Sequence, residues 1–367
     1  HIVMASLTKT AEHFFERYEG RISSFFLIAG FIFDNLTLQR IDQVFDHIII
    51  VSYLLIAGGS ITLLNYYKER KPTKSFIIWI RDILPFLIQF TLGGLFSVFL
   101  VFYARSAAIL SSWPFLVFLL FLLIGNEFFR GYYHRLTFQI AIYYIAIFSF
   151  SIIIIPVLLK TISTAVFLLS GIVSLILIYF FVRALFRVVP KRFSTSRTNL
   201  RNAVLAVFVV INILYFTNLI PPIPLAMKSS GVYYSLTKEG DNYRATEEKQ
   251  KWYESLPFIF PIVIHPQADA PLYAFSSVFA PTDLNTKVIH DWQYFDEKTG
   301  KWVSSLRVTF TIFGGRGEGY RTFSKKENIF AGKWRVDVET ERGQIIGRVR
   351  FNVDTTAFPV VLEEKIL

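Results

Sequence analysis

The hydrophobic positions of this chain follow two patterns, one in each part of the sequence. Seven long apolar runs come first, each near the length of about 20 residues that a helix needs to cross a bilayer. The runs occupy residues 21–39, 47–66, 83–104, 107–125, 136–159, 163–186 and 202–224. The first run is the weakest, because Asp34 and Asn35 interrupt it near one end. The pattern predicts an all-α membrane bundle of seven helices over residues 21–226.

The pattern changes after Pro221-Pro222-Ile223-Pro224, where proline removes backbone donors and ends the last helix. Short segments rich in β-branched and aromatic residues follow, bounded by Gly, Pro, Asn or Asp. They are residues 257–264, 272–280, 287–294, 302–313, 333–340 and 344–353. This spacing is typical of an all-β sandwich, which we expect at residues 256–367. Residues 227–255 are polar and less regular, and they are predicted to be a linker.

Residues 1–20 precede the first apolar run and are expected to lie outside the bundle. The first six residues are not typical of a natural start, and we interpret them as a tag remnant. Residues 7–20 have apolar and charged positions on opposite sides of a helix, which predicts a short interfacial helix.

The basic residues are distributed unevenly between the connections of the predicted helices. The chain has 38 Lys and Arg against 27 Asp and Glu, and the excess lies almost entirely in the membrane part. Sixteen basic residues lie in connections on one side, whereas Arg40, Arg105 and Lys160 are the three on the other. Because positive charge marks the cytoplasmic side, the N-terminus is predicted to be cytoplasmic and the C-terminal domain periplasmic or extracellular. The lipid bilayer thus explains the basic excess, and no nucleic-acid partner is predicted.

Residue types that carry chemistry are scarce, which excludes several classes of protein. The absence of cysteine excludes disulfides, thiolate metal sites and thiol nucleophiles. No charged residue lies clearly at the middle of a predicted span, which argues against a proton pump, an ion-coupled transporter or a voltage sensor. The last run has no lysine, which excludes a rhodopsin. We predict no metal and no cofactor, since His265, His290, Asp269 and Asp291 match no recognised ligand spacing.

The candidate ligand-binding residues come from both parts of the chain. At the outer end of the first run, charged residues form either a local ion-pair network that ends the helix or a polar site for a head group or glycan. A glycine-rich segment at residues 314–319 leads into a strand, so it is predicted to be a turn rather than a phosphate-binding loop. Its arginines can still meet an anion. The candidates are Asp34, Arg40, Asp42, His290, Arg316 and Arg321.

Three tryptophans of the β-region have two interpretations. Trp292, Trp302 and Trp334 are predicted to lie in the sandwich core. If they are exposed instead, they are suited to stacking on sugar rings. No catalytic residue can be assigned, because no serine lies in the context of a nucleophile elbow.

Two sets of residues together resemble a known group of proteins. Gly30-Phe31-Ile32-Phe33-Asp34 with Arg40-Ile41-Asp42 resembles the first-span signature of uncharacterised bacterial multi-spanning membrane proteins. A second set resembles the small β-domain of unknown function at their C-terminus; it comprises His290, Trp292, Gly315-Arg316, residues 320–324, residues 332–338, Gly343 and residues 351–353. The resemblance implies a protein of the bacterial inner membrane and supplies no activity.

The sequence therefore favours an envelope membrane protein that presents an extracytoplasmic β-domain to a glycan, a lipid head group or a protein partner. The alternative is an enzyme or transporter that acts on an envelope lipid or lipid-linked glycan at the outer interface, through Asp34, Arg40 and Asp42. A sensor that signals inward is disfavoured, because the predicted cytoplasmic loops are too short for an output domain.

Overall fold

The structure, a computed structural model, describes most of the chain after residue 43. The described residues are 32, 44–70, 74–106, 109–128, 132, 135–240, 242–249, 262–267, 270–355 and 360–367. They form two compact units. The first unit is helical. The second contains the β-region together with residues 104–113, 156–163 and 215–225.

Six helices are present in the described residues. They are α1 (Val44–Arg70), α2 (Ser75–Ser106), α3 (Ile109–Phe128), α4 (Leu136–Leu159), α5 (Thr164–Val188) and α6 (Pro190–Phe216). Helix α6 begins earlier than the apolar run because Pro190, whose fixed φ suits a first helical position, starts a polar turn before it. It also ends at Phe216, before the proline-rich segment.

The structure confirms only part of the prediction of seven spanning helices. Within the described residues, five helices are long and apolar enough to cross a membrane: α1, α2, α4, α5 and α6. The predicted run 107–125 forms α3, a helix of 20 residues, in which Trp113–Gly125 is an apolar stretch of the described residues. The predicted first run, 21–39, lies outside the described residues apart from Ile32. The described residues thus contain six helices, and the predicted first span stays a prediction.

Buried amide and hydroxyl groups connect helices inside the first unit. The Asn65 side chain donates a hydrogen bond of 2.6 Å to the Gln139 side chain, which joins α1 to α4. The Tyr143 hydroxyl donates to the Leu54 carbonyl at 3.0 Å. It approaches α1 at Gly58, where an added Cβ would collide with the tyrosine ring. Asn65 and Gln139 are thus hydrogen-bonding residues between helices, a common role of amide side chains in membrane bundles.

Eleven strands are described in the second unit. They are β1 (Ala226–Tyr233), β2 (Ser235–Glu239), β3 (Asn242–Glu248), β4 (Ile262–Ile264), β5 (Leu272–Phe279), β6 (Asn285–Asp296), β7 (Lys301–Phe313), β8 (Tyr320–Lys326), β9 (Gly332–Thr340), β10 (Ile345–Val353) and β11 (Leu362–Ile366). They form a five-stranded sheet of order β4-β10-β9-β6-β7 and two three-stranded sheets, β1-β5-β8 and β11-β3-β2.

The five-stranded sheet packs face to face with β1-β5-β8, as predicted for a sandwich. One apolar cluster combines Val278 of β5 with Val288 and Val338 of the larger sheet. A second cluster places Leu272 of β5 against Trp292 and Trp334. These side chains alternate along their strands with residues that point the other way. We call the side of the five-stranded sheet that meets β1-β5-β8 its core face.

The structure differs from the prediction at residues 227–255, which we expected to be a linker. This segment contains most of β1 and all of β2 and β3. The sheet β11-β3-β2 contributes Tyr243 and Ala245 to a small cluster with Tyr233 and Phe275. The β-region therefore has a third layer. The expected strand 257–264 is described only at β4, since residues 257–261 lie outside the described part.

The chain at the ends of α4 and α6 belongs to the second unit and contacts the β-region. Lys160, which follows α4, forms an ion pair of 2.5 Å with Asp283. In the last turn of α6, Tyr215 contacts Arg342, whose guanidinium lies 4.0 Å from the Tyr215 ring centroid and donates to the Tyr215 carbonyl at 3.2 Å. The Gln344 side chain donates to the Ile220 carbonyl at 3.2 Å. These polar contacts attach the β-region to the chain that leaves α4 and α6.

Candidate functional site

The predicted site residues do not form one cluster in the structure. Asp34, Arg40 and Asp42 lie outside the described residues, so their predicted site stays a prediction. His290, Arg316 and Arg321 all belong to the β-region, but they lie in different surroundings.

His290 lies on the core face of β6 and is fully buried. One ring nitrogen is hydrogen bonded to Ser324 at 2.9 Å, and the other to Ser276 at 2.7 Å. The Trp292 indole also donates to the Ser324 hydroxyl. Burial lowers the pKa of His290 to about 4, so the ring is neutral at physiological pH. This residue is closed to an external ligand, contrary to the prediction, because strand alternation turns it inward.

Arg316 and Arg321 flank the glycine-rich turn, which leads into β8 as predicted. Gly315 and Gly319 have φ angles of 95° and 87°, values that a side chain disfavours. The Arg316 guanidinium lies 5.0 Å from the ring centroid of Tyr320. Arg321 instead donates to the Asn242 side chain at 3.2 Å. The two arginines therefore bind different partners on the surface of the β-region.

A larger group of polar side chains occupies the other side of the five-stranded sheet, which we call the ionic face. Because successive residues of a strand point to opposite sides, this face carries the neighbours of the core residues. Asp291 of β6 lies directly opposite Asp337 of β9. We define the ionic face by Asp291, Gln293, Phe295, Trp302, Ser304, Arg307, Lys333, Arg335, Asp337, Glu339, Arg348 and Arg350.

Two carboxylates of the ionic face are held by arginines. Asp337, whose side chain is 3% exposed, accepts two hydrogen bonds from Arg348 at 2.5 and 2.7 Å. This bidentate geometry is the strongest form of an arginine–carboxylate contact. Glu339 accepts a hydrogen bond of 2.7 Å from Arg307, whose side chain is 51% exposed. One ion pair is thus buried, and the other opens to solvent.

The third carboxylate, Asp291, is bound by uncharged groups. Ser304 donates to one oxygen at 2.5 Å, and the Gln293 amide donates to the other. The Gln293 carbonyl oxygen in turn accepts two hydrogen bonds from Arg335, at 2.8 and 2.6 Å. The Arg335 guanidinium also lies 4.4 Å from the ring centroid of Trp302. Gln293 and Trp302 together hold Arg335 flat against the sheet.

The pKa of the Glu339 carboxyl lies far from its ordinary value. Burial, together with the nearby Asp291 and Asp337 carboxylates, raises this pKa to about 7, and Arg307 opposes the shift. Glu339 therefore exchanges its proton near neutral pH. Among the described residues, no three His, Asp or Glu side chains are grouped as a metal site requires.

Sequence reasoning missed the ionic face, although its signal is present in β9. Trp334, Val336 and Val338 alternate with Arg335, Asp337 and Glu339. A strand of this kind is usually assigned an apolar buried side and a charged solvated side. What the alternation does not reveal is that Asp337 and Glu339 are themselves buried, because their partners Arg348 and Arg307 come from other strands.

The comparisons with known proteins concern this part of the chain. Residues 285–353 match the model of a family described as a protein of unknown function, DUF2914. The match extends from the start of β6 to the end of β10, so it includes every residue of the ionic face. It supports the predicted resemblance for the β-region, which is similar to a domain of unknown function.

The other comparisons add no relative from which a function follows. No curated protein matches the chain. A solved structure of Pseudomonas fluorescens alkylpurine DNA glycosylase AlkC, bound to DNA containing an abasic site analog, is similar at 10% identity. That similarity covers 86% of this chain and 99% of the glycosylase, with a TM-score of 0.22. A TM-score this low does not establish a shared fold.

Proposed function

We propose that this chain is an envelope membrane protein that presents its β-region outside the cytoplasm and binds a glycan on the ionic face. The observation that carries the proposal is the arrangement of Arg335, Trp302 and Gln293, which holds a guanidinium flat on the surface of a sheet. Glycan binding is one of the partner classes that the sequence favours. The ionic face is the part of the described structure that suits it best.

The chemistry of sugars explains why such a face suits them. A sugar ring offers apolar C–H groups on its face and hydroxyl groups around its edge. Planar amide, carboxylate and guanidinium groups bind neighbouring hydroxyls in pairs, and aromatic rings contact the C–H groups. Gln293 and Arg335 supply the planar groups, and the half-buried Phe295 and Trp302 supply the rings. The buried Asp291 positions Gln293. The hydrogen bonds among these residues reduce the entropy lost on binding.

The attachment of the β-region supports the proposed topology. Two of the predicted outer-side basic residues are Arg105, in the last turn of α2, and Lys160, directly after α4. Both belong to the same compact unit as the β-region, and Lys160 is paired with Asp283. A placement of these two connections and the β-region on the same side of the membrane agrees with the uneven distribution of basic residues.

Binding is tested with the full chain in lipid nanodiscs on an array of neutral and acidic bacterial saccharides. We expect saturable binding to a subset of saccharides. The Gln293→Ala and Trp302→Ala variants should weaken it about threefold to tenfold, the effect of losing one or two hydrogen bonds or contacts. Gln267→Ala is the matched control, because it removes an exposed glutamine outside the ionic face.

The melting temperature of each variant shows whether a loss of binding reflects a loss of folding. A wild-type chain that binds no saccharide contradicts the proposal. So do Gln293→Ala and Trp302→Ala variants that fold and bind as tightly as Gln267→Ala.

The side of the membrane is tested independently by reporter fusions after residue 367. We expect alkaline phosphatase to be active there and a cytoplasmic fluorescent reporter to stay dark. A second fusion after residue 132 tests whether α3 crosses the membrane. There we expect alkaline phosphatase to be inactive and the cytoplasmic fluorescent reporter to be bright. A cytoplasmic C-terminal reporter refutes the extracytoplasmic placement.

A further inference from the structure

The ionic face contains an uneven distribution of charge on its β9 and β10 strands. Arg335 of β9 and Arg350 of β10 are direct partners across the two antiparallel strands. Arg348 lies on the same side of β10, two residues from Arg350. Like charges directly opposite one another on a sheet destabilise it. This pairing therefore needs an explanation that folding does not supply.

The nearby carboxylates do not neutralise the three arginines. Asp337 forms a bidentate pair with Arg348, and its contact with Arg335 is longer, at 3.6 Å. Arg350 is exposed and makes no hydrogen bond or ion pair with the described residues. Burial lowers the pKa of Arg335; Asp337 opposes that shift, whereas Arg348 and Arg350 add to it. The cluster therefore keeps a positive excess beside a buried carboxylate.

The cluster continues along the strand toward the aromatic end of the ionic face. Lys333 lies on the same side of β9 as Arg335, and its ammonium group is 5.4 Å from the ring centroid of Phe295. Arg335 is already oriented by Gln293 and Trp302, so it loses little freedom when it binds a further group. An oxygen-rich anion above Arg335 and Arg350 would accept hydrogen bonds from both, which is how arginine forks bind carboxylate and phosphate.

We infer that the glycan bound by the ionic face carries an anionic group, a carboxylate or a phosphate, and that Arg335, Arg350 and Lys333 bind it. This inference rests on the proposed function and specifies its ligand class. The same chemistry is also present in an anionic lipid head group. The experiment therefore separates the two sources.

The test compares polygalacturonate with its methyl ester, two polymers that share one backbone and differ in charge. The full chain is held in nanodiscs of phosphatidylcholine at low salt. We expect polygalacturonate to bind about tenfold or more tightly than the ester, and Arg350→Gln to remove most of that difference. The matched control is Lys238→Gln, which removes the same charge from an exposed position on β2 and should change the affinity less than twofold.

The lipid arm repeats the titration in nanodiscs that contain phosphatidylglycerol. If that lipid abolishes polygalacturonate binding in the wild type at 0.15 M salt, where repulsion by the bilayer is screened beyond about 8 Å, a lipid head group occupies the arginines, and the inference of an anionic glycan is overturned. If binding persists and remains sensitive to Arg350→Gln, the glycan source is supported. Equal binding of both polymers, unchanged by Arg350→Gln, refutes the anionic group and leaves glycan binding itself standing.

Two further results would refute the anionic group without deciding whether the chain binds glycans. The first is a wild-type chain that binds neither polymer, because glycan binding itself is tested by the saccharide array. Equal losses in Arg350→Gln and Lys238→Gln mean that only the overall charge matters, which also overturns the inference. Because Arg350 is exposed and lies directly opposite Arg335, its replacement should leave the melting temperature unchanged or raise it slightly.

Discussion

On the core face of the five-stranded sheet, Trp292 and Trp334 are fully buried, and the one histidine among them is neutral. On the ionic face of the same strands, Trp302 is half-buried and supports an arginine. Both faces are rich in aromatic side chains. They differ in what the rings contact: apolar residues of β5 on the core face, and charged residues on the ionic face. The comparison indicates that one face supplies stability and the other supplies recognition.

The largest expected difference between the faces is in the cost of removing a tryptophan. Trp334→Ala should destabilise the β-region by about 3–5 kcal/mol, because it leaves a cavity between the two sheets. Trp302→Ala removes the same ring from a half-exposed position and should cost much less. Tryptophan fluorescence during denaturant unfolding of the full chain measures both. Similar losses of stability in the two variants would show that the two faces do not differ in the cost of removing a tryptophan.

The ionic face itself contains a buried and an exposed ion pair, which sharpens the comparison. Arg348→Ala should cost about 3 kcal/mol, because it leaves the Asp337 carboxylate buried without its bidentate partner. Arg307→Ala should cost at most about 1 kcal/mol, since the Arg307 side chain is 51% exposed. Melting temperatures of the two variants give the difference. Equal and small effects would mean that Asp337 is not isolated from water.

The two faces should also respond to pH with opposite signs. The pKa of His290 is lowered from 6.5 to about 4, so the unfolded chain binds more protons, and stability falls as pH drops through this window. The pKa of Glu339 is raised from 4.5 to about 7, so the folded chain binds more protons, and stability falls as pH rises toward 7. The two contributions nearly cancel in the wild type.

Single substitutions should expose each contribution. Relative to the wild type, Glu339→Gln should become more stable by about 2 kcal/mol as pH rises from 5 to 8. His290→Gln should gain stability relative to the wild type as pH falls from 7 to 5. Thermal unfolding of the full chain across this range checks both slopes. If the difference in stability between Glu339→Gln and the wild type does not change with pH, this carboxylate titrates at its ordinary pKa.

Much of the fold could be predicted because its periodic features are local. Five long apolar helices and the strands from β5 to β10 follow directly from runs and alternation in the sequence. Strands β1 to β3 were missed because most of their residues are polar and face solvent, as in Lys238 and Glu239. Nothing in such a segment distinguishes a surface strand from a linker until its partner, β11, is known.

The candidate site could not be predicted in the same way. His290 was selected for its chemistry, but its burial depends on Ser276 and Ser324, which lie on other strands. The ionic face was passed over because charged residues on a strand are usually solvated. Its character comes from pairing: Arg335 meets Arg350, and Asp337 meets Arg348, through a register that the separate strands do not encode.

The central claim is that a glycan covers the ionic face and not the core face. Hydroxyl-radical footprinting of the full chain in nanodiscs, with and without the tightest saccharide from the array, tests it most directly. We expect the saccharide to reduce the oxidation of Trp302 and Phe295. Trp292 and Trp334 should be unreactive in both samples, and the exposed Phe323 should be oxidised equally in both. Protection of Phe323 with no change at Trp302 and Phe295 would place the ligand elsewhere and contradict the account.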